Sequence, residues 1–239
     1  MKNYAFLLAL LLLLACKTQQ NIPATSDWEG TYEGVLPCPD CSGIWTRLTL
    51  RSDQSYQQEQ RFLGKSDTII TTRGKVRWDK KTGTILQLED RNRFALKDQQ
   101  LLAYPSAQSP DTLAYTLRQY DNPLTERRWK LLTLNGKAVQ VPPTDGQTPY
   151  VSFREGRIVG NAGCNMFNAR YQEQDGQRIQ FDQLMSTMMA CPALETERAL
   201  LDALETIDNY SLYGGVLSLN RARMAPLAVF EMTPNPDTP

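Results

Sequence analysis

Residues 44–51, Ile-Trp-Thr-Arg-Leu-Thr-Leu-Arg, alternate between two faces with a period of two. The even positions carry Ile, Thr, Leu and Leu, whereas the odd positions carry Trp, Arg, Thr and Arg. Such alternation is typical of a β-strand with one buried face. Similar short segments recur from residue 56 to residue 118, separated by turn residues such as those at 53–55 and 82–83. Regularly spaced strands without a helical pattern predict an antiparallel β-barrel or sandwich.

The second half of the chain predicts another β-rich domain, this time with one clear helix. Strands are expected at 129–134, 150–154, 210–219 and 227–232, and Gly214-Gly215 should fold the third of these into a hairpin. Between the strands, an apolar stripe with acidic and basic residues opposite predicts an amphipathic helix. The stripe consists of Leu194, Leu200, Leu201, Leu204 and Ile207. The fold class is therefore mainly β, with an α+β second domain.

The N-terminus has the pattern of an export signal. Lys2 precedes the apolar run 4–15, which is too short for a membrane-spanning helix of about 20 residues. The ending Leu13-Leu14-Ala15-Cys16 resembles a bacterial lipobox, in which the cysteine is acylated and becomes the new N-terminus. A core segment that happens to end in cysteine is less favoured, because the chain turns polar directly after Cys16.

These patterns divide the chain into five predicted parts. Residues 1–15 are the lipoprotein signal peptide, and 16–27 are the acylated cysteine and a flexible tether. Residues 28–120 form the first barrel and 126–233 the second domain. Residues 234–239 are expected to be a disordered tail.

Composition excludes several classes of function. Lys and Arg number 26, as do Asp and Glu, and neither half of the chain is strongly basic, so nucleic acid is not an expected partner. The chain contains no histidine. This removes Ser-His-Asp and Cys-His catalysis and His-ligated zinc, and it predicts a protein that is not an enzyme.

Four of the five cysteines remain after Cys16, which is an even number in an exported chain. Cys38 and Cys41 are separated by Pro-Asp, a spacing that permits either a disulfide across a turn or a thiol pair for copper(I) or zinc. Both states can occur at different times. A thioredoxin-like redox site is disfavoured, because a strand and not a helix follows Cys41.

The residues around this cysteine pair resemble a known family. Residues 30–44, Gly-Thr-Tyr-Glu-Gly-Val-Leu-Pro-Cys-Pro-Asp-Cys-Ser-Gly-Ile, together with 61–64 and 74–78, are similar to the N-terminal domain of NlpE-like lipoproteins of copper resistance and envelope stress. The resemblance covers about residues 28–120. It implies a small lipocalin-like barrel on an outer-membrane lipid anchor, and it implies Cys38 and Cys41 as a copper-binding pair.

The second half is similar to a different family, the META domain, as in the heat-shock protein HslJ. The matching segments are 158–165, Ile-Val-Gly-Asn-Ala-Gly-Cys-Asn, and 187–192, Thr-Met-Met-Ala-Cys-Pro. Cys164 and Cys191 lie in these two motifs, so they are expected to be close, either as a disulfide or as two buried thiols. The methionines beside Cys191 are expected to fill a core, with copper(I) ligation as the less favoured alternative. They are Met185, Met188 and Met189.

Taken together, the sequence predicts a non-catalytic, monomeric lipoprotein of the bacterial envelope. Its function would be binding or sensing in copper resistance or envelope stress, with an envelope-stress sensor protein as a candidate partner. No cofactor is firmly indicated, and copper(I) is the candidate. Lys17 follows the acylated cysteine, which favours the outer membrane and its periplasmic face. The alternative is a structural or chaperone-like periplasmic lipoprotein that binds hydrophobic ligands or client proteins.

Overall fold

The computed structural model describes residues 28–79, 81–104, 116–139, 148–190 and 194–233. The predicted signal peptide, Cys16, the tether and the tail at 234–239 lie outside these residues. Within them, no helix is both long and apolar enough to cross a bilayer.

The first half forms one antiparallel sheet whose described strands are β1 to β9. Their bounds are Gly30–Leu36, Gly43–Leu50, Ser55–Leu63, Ile70–Lys75, Arg77–Trp78, Ile85–Gln87, Arg93–Lys97, Gln100–Ala103 and Thr116–Arg118. Their order is β4-β3-β2-β1-β9-β8-β7-β6-β5. The two edge strands, β4 and β5, are separated only by Val76, whose amide donates to the carbonyl of Gln54 at 2.8 Å. The sheet therefore curls into a nearly closed barrel.

Alternation along the strands fills the interior of this barrel with large side chains. Tyr32 on β1 is the cross-strand partner of Leu48 on β2, and Leu48 is the partner of Gln58 on β3. These three side chains lie side by side in the interior. The apolar cluster also contains Trp28, Leu50, Tyr56, Val76, Trp78, Leu86, Leu88, Phe94, Leu101 and Leu117. Burial of so many aromatic rings is the main source of stability for this half.

The second half forms a barrel that closes on itself. Its described strands, β10 to β18, are Arg128–Leu134, Lys137–Ala138, Tyr150–Arg154, Arg157–Asn161, Met166–Gln174, Arg178–Ser186, Asn209–Tyr213, Val216–Asn220 and Ala228–Thr233. The order is β11-β10-β12-β13-β14-β15-β16-β17-β18, and β10 also pairs with β18 along its length. That last pairing completes a ring of strands, with only the short β11 outside it.

The helix α1, Leu194–Thr206, connects β15 to β16 and packs against β15. Glu195 and Glu197 lie in its first turn, where carboxylates interact favourably with the helix dipole. Leu200 and Leu204 of the predicted stripe are buried, as is Ile207 just after the helix, whereas Leu194 is exposed and Leu201 is half-buried. Ala203 and Glu197, which the sequence pattern did not place on the apolar face, are buried as well.

The fold class predicted from the sequence is confirmed, as are the helix and the Gly214-Gly215 turn between β16 and β17. The strands β13, β14 and β15 were not predicted from sequence. The outer face of the β14–β15 hairpin is mostly polar, and its buried apolar residues are limited to Phe167 and Ala169 on β14 and Ile179 and Phe181 on β15. Between β4 and β5 the strand is interrupted at Val76, where the barrel changes edge.

The two barrels share part of one apolar core. Val35, Trp45 and Leu63, from three neighbouring strands of the first barrel, belong to the same buried cluster as the interior of the second barrel. Trp45 lies against the β16–β17 turn, where a Cβ on Gly215 would come within 2.6 Å of its indole ring. Glycine at this turn therefore provides both a left-handed backbone (φ +76°) and room for the tryptophan.

Candidate functional site

The loop that connects β1 to β2 carries the sequence Cys38-Pro39-Asp40-Cys41. Both cysteines are half-buried, whereas Pro39 and Asp40 are exposed. Gly43 ends the loop with φ +151°, and a Cβ there would meet Val35 Cγ1 at 2.3 Å. A glycine is therefore required for the hairpin to close behind the cysteine pair.

In the structure Cys38 and Cys41 are joined by a disulfide, with their Cα atoms 5.3 Å apart. The loop is held to the neighbouring β3–β4 connection at two points. Asp40 forms an ion pair with Lys65, and the amide of Ser42 donates to the carbonyl of Leu63 at 3.2 Å. The hydrogen bond from Lys65 keeps the pKa of Asp40 below its ordinary value.

The donor set of this loop suits a soft cation once the disulfide is open. One sulfur from each cysteine and one carboxylate oxygen from Asp40 all lie within 4.8 Å of one another. Thiolates prefer copper(I) or zinc, whereas a carboxylate prefers harder ions, so the two sulfurs would be the principal ligands. In the disulfide form neither sulfur is a thiolate, so metal binding requires reduction. Copper binding at Cys38 and Cys41 stays a prediction.

Close to this hairpin lies a buried charge cluster that the sequence analysis missed. Both carboxylate oxygens of Glu33 are bound: Oε1 accepts from Arg127 at 2.5 Å and from the Trp45 indole at 2.9 Å, and Oε2 accepts from Arg47 at 3.0 Å. Arg127 also covers the ring of Tyr120 at 3.9 Å. Burial opposes ionisation of Glu33, but the two arginines and the indole outweigh it, so its pKa lies below the ordinary value.

This cluster connects the two barrels, because Glu33 belongs to β1 and Arg127 directly precedes β10. A second polar link runs from Arg61, whose Nη1 donates to the carbonyl of Gly214 at 3.2 Å. No local pattern in the sequence could have paired Glu33 with Arg127, which are 94 residues apart. The links fix the β1–β2–β3 region, and with it the cysteine loop, against the second barrel.

The second motif, at 161–165, is organised around the buried side chain of Asn165. Its Oδ1 accepts from the amide of Met189 at 2.8 Å and from the hydroxyl of Thr187 at 2.7 Å. Its Nδ2 donates to Glu197 at 2.9 Å and to the carbonyl of Met189 at 3.2 Å. Asn165 therefore ties the bend at 161–165 to the segment after β15 and to α1.

The remaining cysteine and methionine predictions have mixed outcomes. Cys164 is disulfide-bonded, whereas Cys191 lies outside the described residues, so the pairing of these two cysteines stays a prediction. The prediction that Met185, Met188 and Met189 fill a core is wrong, because their exposed fractions are 57%, 99% and 58%. The chain leaves β15 on the outer face at this point, so apolar side chains that would suit a core point to solvent.

Comparison with known proteins identifies the two halves separately. Residues 32–110 match the NlpE N-terminal domain family, and residues 122–234 match the META domain family. No curated protein sequence matches the chain.

Two solved structures are among those similar to the chain. A Shewanella oneidensis protein described as a candidate lipoprotein shares 34% identity, with a TM-score of 0.37, and the match covers 41% of this chain and 98% of that one. The Cpx pathway activator NlpE from Escherichia coli shares 19% identity, with a TM-score of 0.31, over 88% of this chain and 98% of that one.

Proposed function

We propose that this chain, an NlpE N-terminal domain joined to a META domain, is a non-catalytic envelope lipoprotein that binds copper(I) and takes part in the response to envelope stress. The family match of residues 32–110 supports the envelope-stress role. The observation that carries the copper proposal is the exposed loop in which Cys38, Asp40 and Cys41 bring their ligand atoms within 4.8 Å of one another.

The loop can change between a closed and a metal-binding state. A dithiol reductant transfers two electrons and two protons to the Cys38–Cys41 bond, giving two thiols and the disulfide of the reductant. Copper(I) then replaces the thiol protons, so binding releases protons and strengthens as the pH rises. Because the loop is exposed, a reductant can reach the bond without any opening of the barrel.

The test is copper(I) uptake by the reduced, mature chain under anaerobic conditions, in competition with a colorimetric copper(I) chelator. We expect Cys38→Ser/Cys41→Ser to remove the part of the uptake that increases with pH. Cys164→Ser is the matched control, because it removes a thiol of the second barrel and should leave that part intact. Equal uptake by the parent and the double serine variant at every pH would contradict the proposal.

We further propose that acylated Cys16 anchors the protein to the periplasmic face of the outer membrane and that its partner is an envelope-stress sensor protein. Lys17 after the lipidated cysteine supports this location. Intact mass of the protein extracted from cells, combined with membrane fractionation, tests it. A chain that begins at Met1 without a lipid would contradict the anchor.

A second role, binding of hydrophobic ligands or client proteins, is favoured by one specific feature. A groove of about 320 Å³ between β15 and α1 is lined by the apolar residues Leu184, Met185, Leu194 and Leu201. Polar and charged residues complete its lining, so an amphipathic ligand or segment would suit it better than a purely apolar one. They are Ser186, Glu197, Arg198, Asp202 and Glu205. The interior of the first barrel, in contrast, is filled by its own aromatic side chains. The test is the affinity for an apolar fluorescent probe, followed by the change in its emission. An affinity that is lost in Leu194→Asp but kept in Leu36→Asp would support this role, and equal affinities of the two variants would contradict it.

A further inference from the structure

The methionines in the described part of this chain lie almost entirely at its surface. Of the six in the described part, only Met232 is buried, at 4% exposure. The exposed ones are Met166, Met185, Met188, Met189 and Met224. Methionine is normally among the most buried residues, so its concentration outside the core needs another explanation.

Two of these side chains lie diagonally across one β-ladder. Asn168 on β14 pairs with Met185 on β15, and the amide of Thr187 donates to the carbonyl of Met166 at 3.0 Å. Met166 and Met185 thus occupy diagonal positions on the same exposed face. Diagonal positions are roughly 7–8 Å apart at Cα, which two methionine side chains can bridge.

The position of Met189 is fixed beside this pair by Asn165. Both its amide and its carbonyl are bound by the Asn165 side chain, at 2.8 and 3.2 Å. Asn165 directly precedes Met166, so the Met189 backbone is held next to the start of β14. The amide nitrogen of Asn161 lies 3.8 Å from Met166 Sδ and donates to it, which orients the thioether and leaves its second lone pair available.

We propose that Met166, Met185 and Met189 form a thioether site for a soft monovalent cation, copper(I) or silver(I). Thioether sulfur is a soft, uncharged ligand that binds copper(I) and has little affinity for magnesium or calcium. The site uses none of the residues of the Cys38–Cys41 loop.

The thioether site and the cysteine site can be distinguished in solution by the pH dependence of their cation affinity. Thioethers carry no proton near neutral pH, so cation binding here releases none and its affinity is independent of pH. A thiolate site loses protons on binding and depends on pH. With the disulfides intact, neither Cys38 nor Cys41 offers a thiolate, so cation uptake at the thioether site can be measured without a contribution from the cysteine loop.

The experiment uses the oxidised, mature chain with carbon-13-labelled methionine methyl groups, titrated with silver nitrate in chloride-free buffer. We expect the methyl signals of Met166, Met185 and Met189 to shift together, while those of Met224 and Met232 stay in place. The triple variant Met166→Leu/Met185→Leu/Met189→Leu, which nearly conserves side-chain volume, should weaken silver binding by at least about tenfold.

Met224→Leu is the matched control, an equally exposed methionine on another part of the surface, and should bind silver as the parent does. The Cys38→Ser/Cys41→Ser variant should also keep the shifts, so failure of the cysteine site does not affect this one. Shifts of similar size at Met224, or an affinity of the triple variant within twofold of the parent, would overturn the proposal.

Discussion

The two barrels differ in how completely their sheets close and in how their buried polar side chains are hydrogen-bonded. The second closes its ring through β10 and β18 and binds its buried Asn165 on every side. The first leaves a break at Val76, and among the described residues neither amide atom of its buried Gln58 has a hydrogen-bond partner in the protein. The Trp78 indole nitrogen in the same barrel also lacks one.

The first barrel compensates by using the second. Val35, Trp45 and Leu63 bury their side chains in the cluster that forms the second core, and Glu33 binds Arg127 across the boundary. The second barrel is thus complete as a sheet, whereas the first is not and buries part of its surface by docking on the second. Buried polar atoms without a partner among the described residues also occur in the second half, at Arg127 Nε and Glu231 Oε1. The docked elements flank the cysteine loop, so stability of the loop region and contact between the barrels should be coupled.

The largest effect should come from the charge cluster at this boundary. Glu33→Ala leaves the Arg127 guanidinium buried without its carboxylate, and breaking a buried ion pair in this way lowers the free energy of unfolding by about 3–5 kcal/mol. We expect the first barrel to unfold before the second, giving two transitions in urea followed by tryptophan fluorescence.

Glu59→Ala is the matched control for this variant, since Glu59 also pairs with Arg47, at 3.5 Å, but is partly exposed. It should change stability by at most about 1 kcal/mol. A single transition with parent stability in Glu33→Ala would show that the barrels do not depend on this contact.

The next effect should come from the polar centre of the second barrel. Asn165→Ala removes a hydrogen-bond partner of buried Glu197 and of both backbone groups of Met189. We therefore expect the free energy of unfolding of the second barrel to fall by about 2–4 kcal/mol. Asn168→Ala removes one hydrogen bond with Arg157 on the outer face, and it should lower the free energy of unfolding by about 1 kcal/mol. Equal losses in the two variants, measured by urea denaturation, would contradict a central role for Asn165.

A smaller effect of opposite sign is expected in the first barrel. Gln58→Leu replaces a buried amide with an apolar side chain beside Leu48, and we expect stabilisation by about 1–2 kcal/mol. The outer-face variant Gln57→Leu should change stability by less than about 0.5 kcal/mol. Destabilisation in Gln58→Leu would show that the Gln58 amide is hydrogen-bonded in solution, and that the two barrels do not differ in how well their buried polar side chains are satisfied.

The smallest effect concerns pH. Burial raises the pKa of Glu231 on β18 above its ordinary value, although Lys130, Arg61 and the amide of Gly64 act in the opposite direction. A carboxyl group whose pKa is raised by folding stabilises the folded state when it is protonated. This stabilisation is fully present below 4.5, the pKa of the group in the unfolded chain, and is lost as the pH rises through its pKa in the folded protein.

Glu231→Gln is therefore expected to gain stability relative to the parent at pH 7 and to gain little at pH 4, as measured by thermal melts across this range. Glu33 has the reverse dependence: its lowered pKa gives stability at neutral pH that is lost on acidification through the folded value. A Glu231→Gln difference that is constant with pH would contradict the burial of an ionisable group at this boundary.

Prediction from sequence succeeded where the signal is local. The alternation at 44–51, the apolar stripe of α1 and the glycine pair at 214–215 each depend on neighbouring residues, and each was found in the structure. It failed at the polar hairpin of β14 and β15, and at Met185, Met188 and Met189, because apolar character alone does not indicate whether another layer covers a residue.

The sequence by itself determined two β-rich units, the Gly214-Gly215 turn, the helix and the close spacing of Cys38 and Cys41, because these follow from side-chain periodicity and backbone preference over a few residues. Only the tertiary structure decided that Trp45, on the outer face of its strand, would be fully buried against Gly215, and that Glu33 would meet Arg127. These contacts join distant segments, and their energies depend on which surfaces exclude water once both barrels have formed.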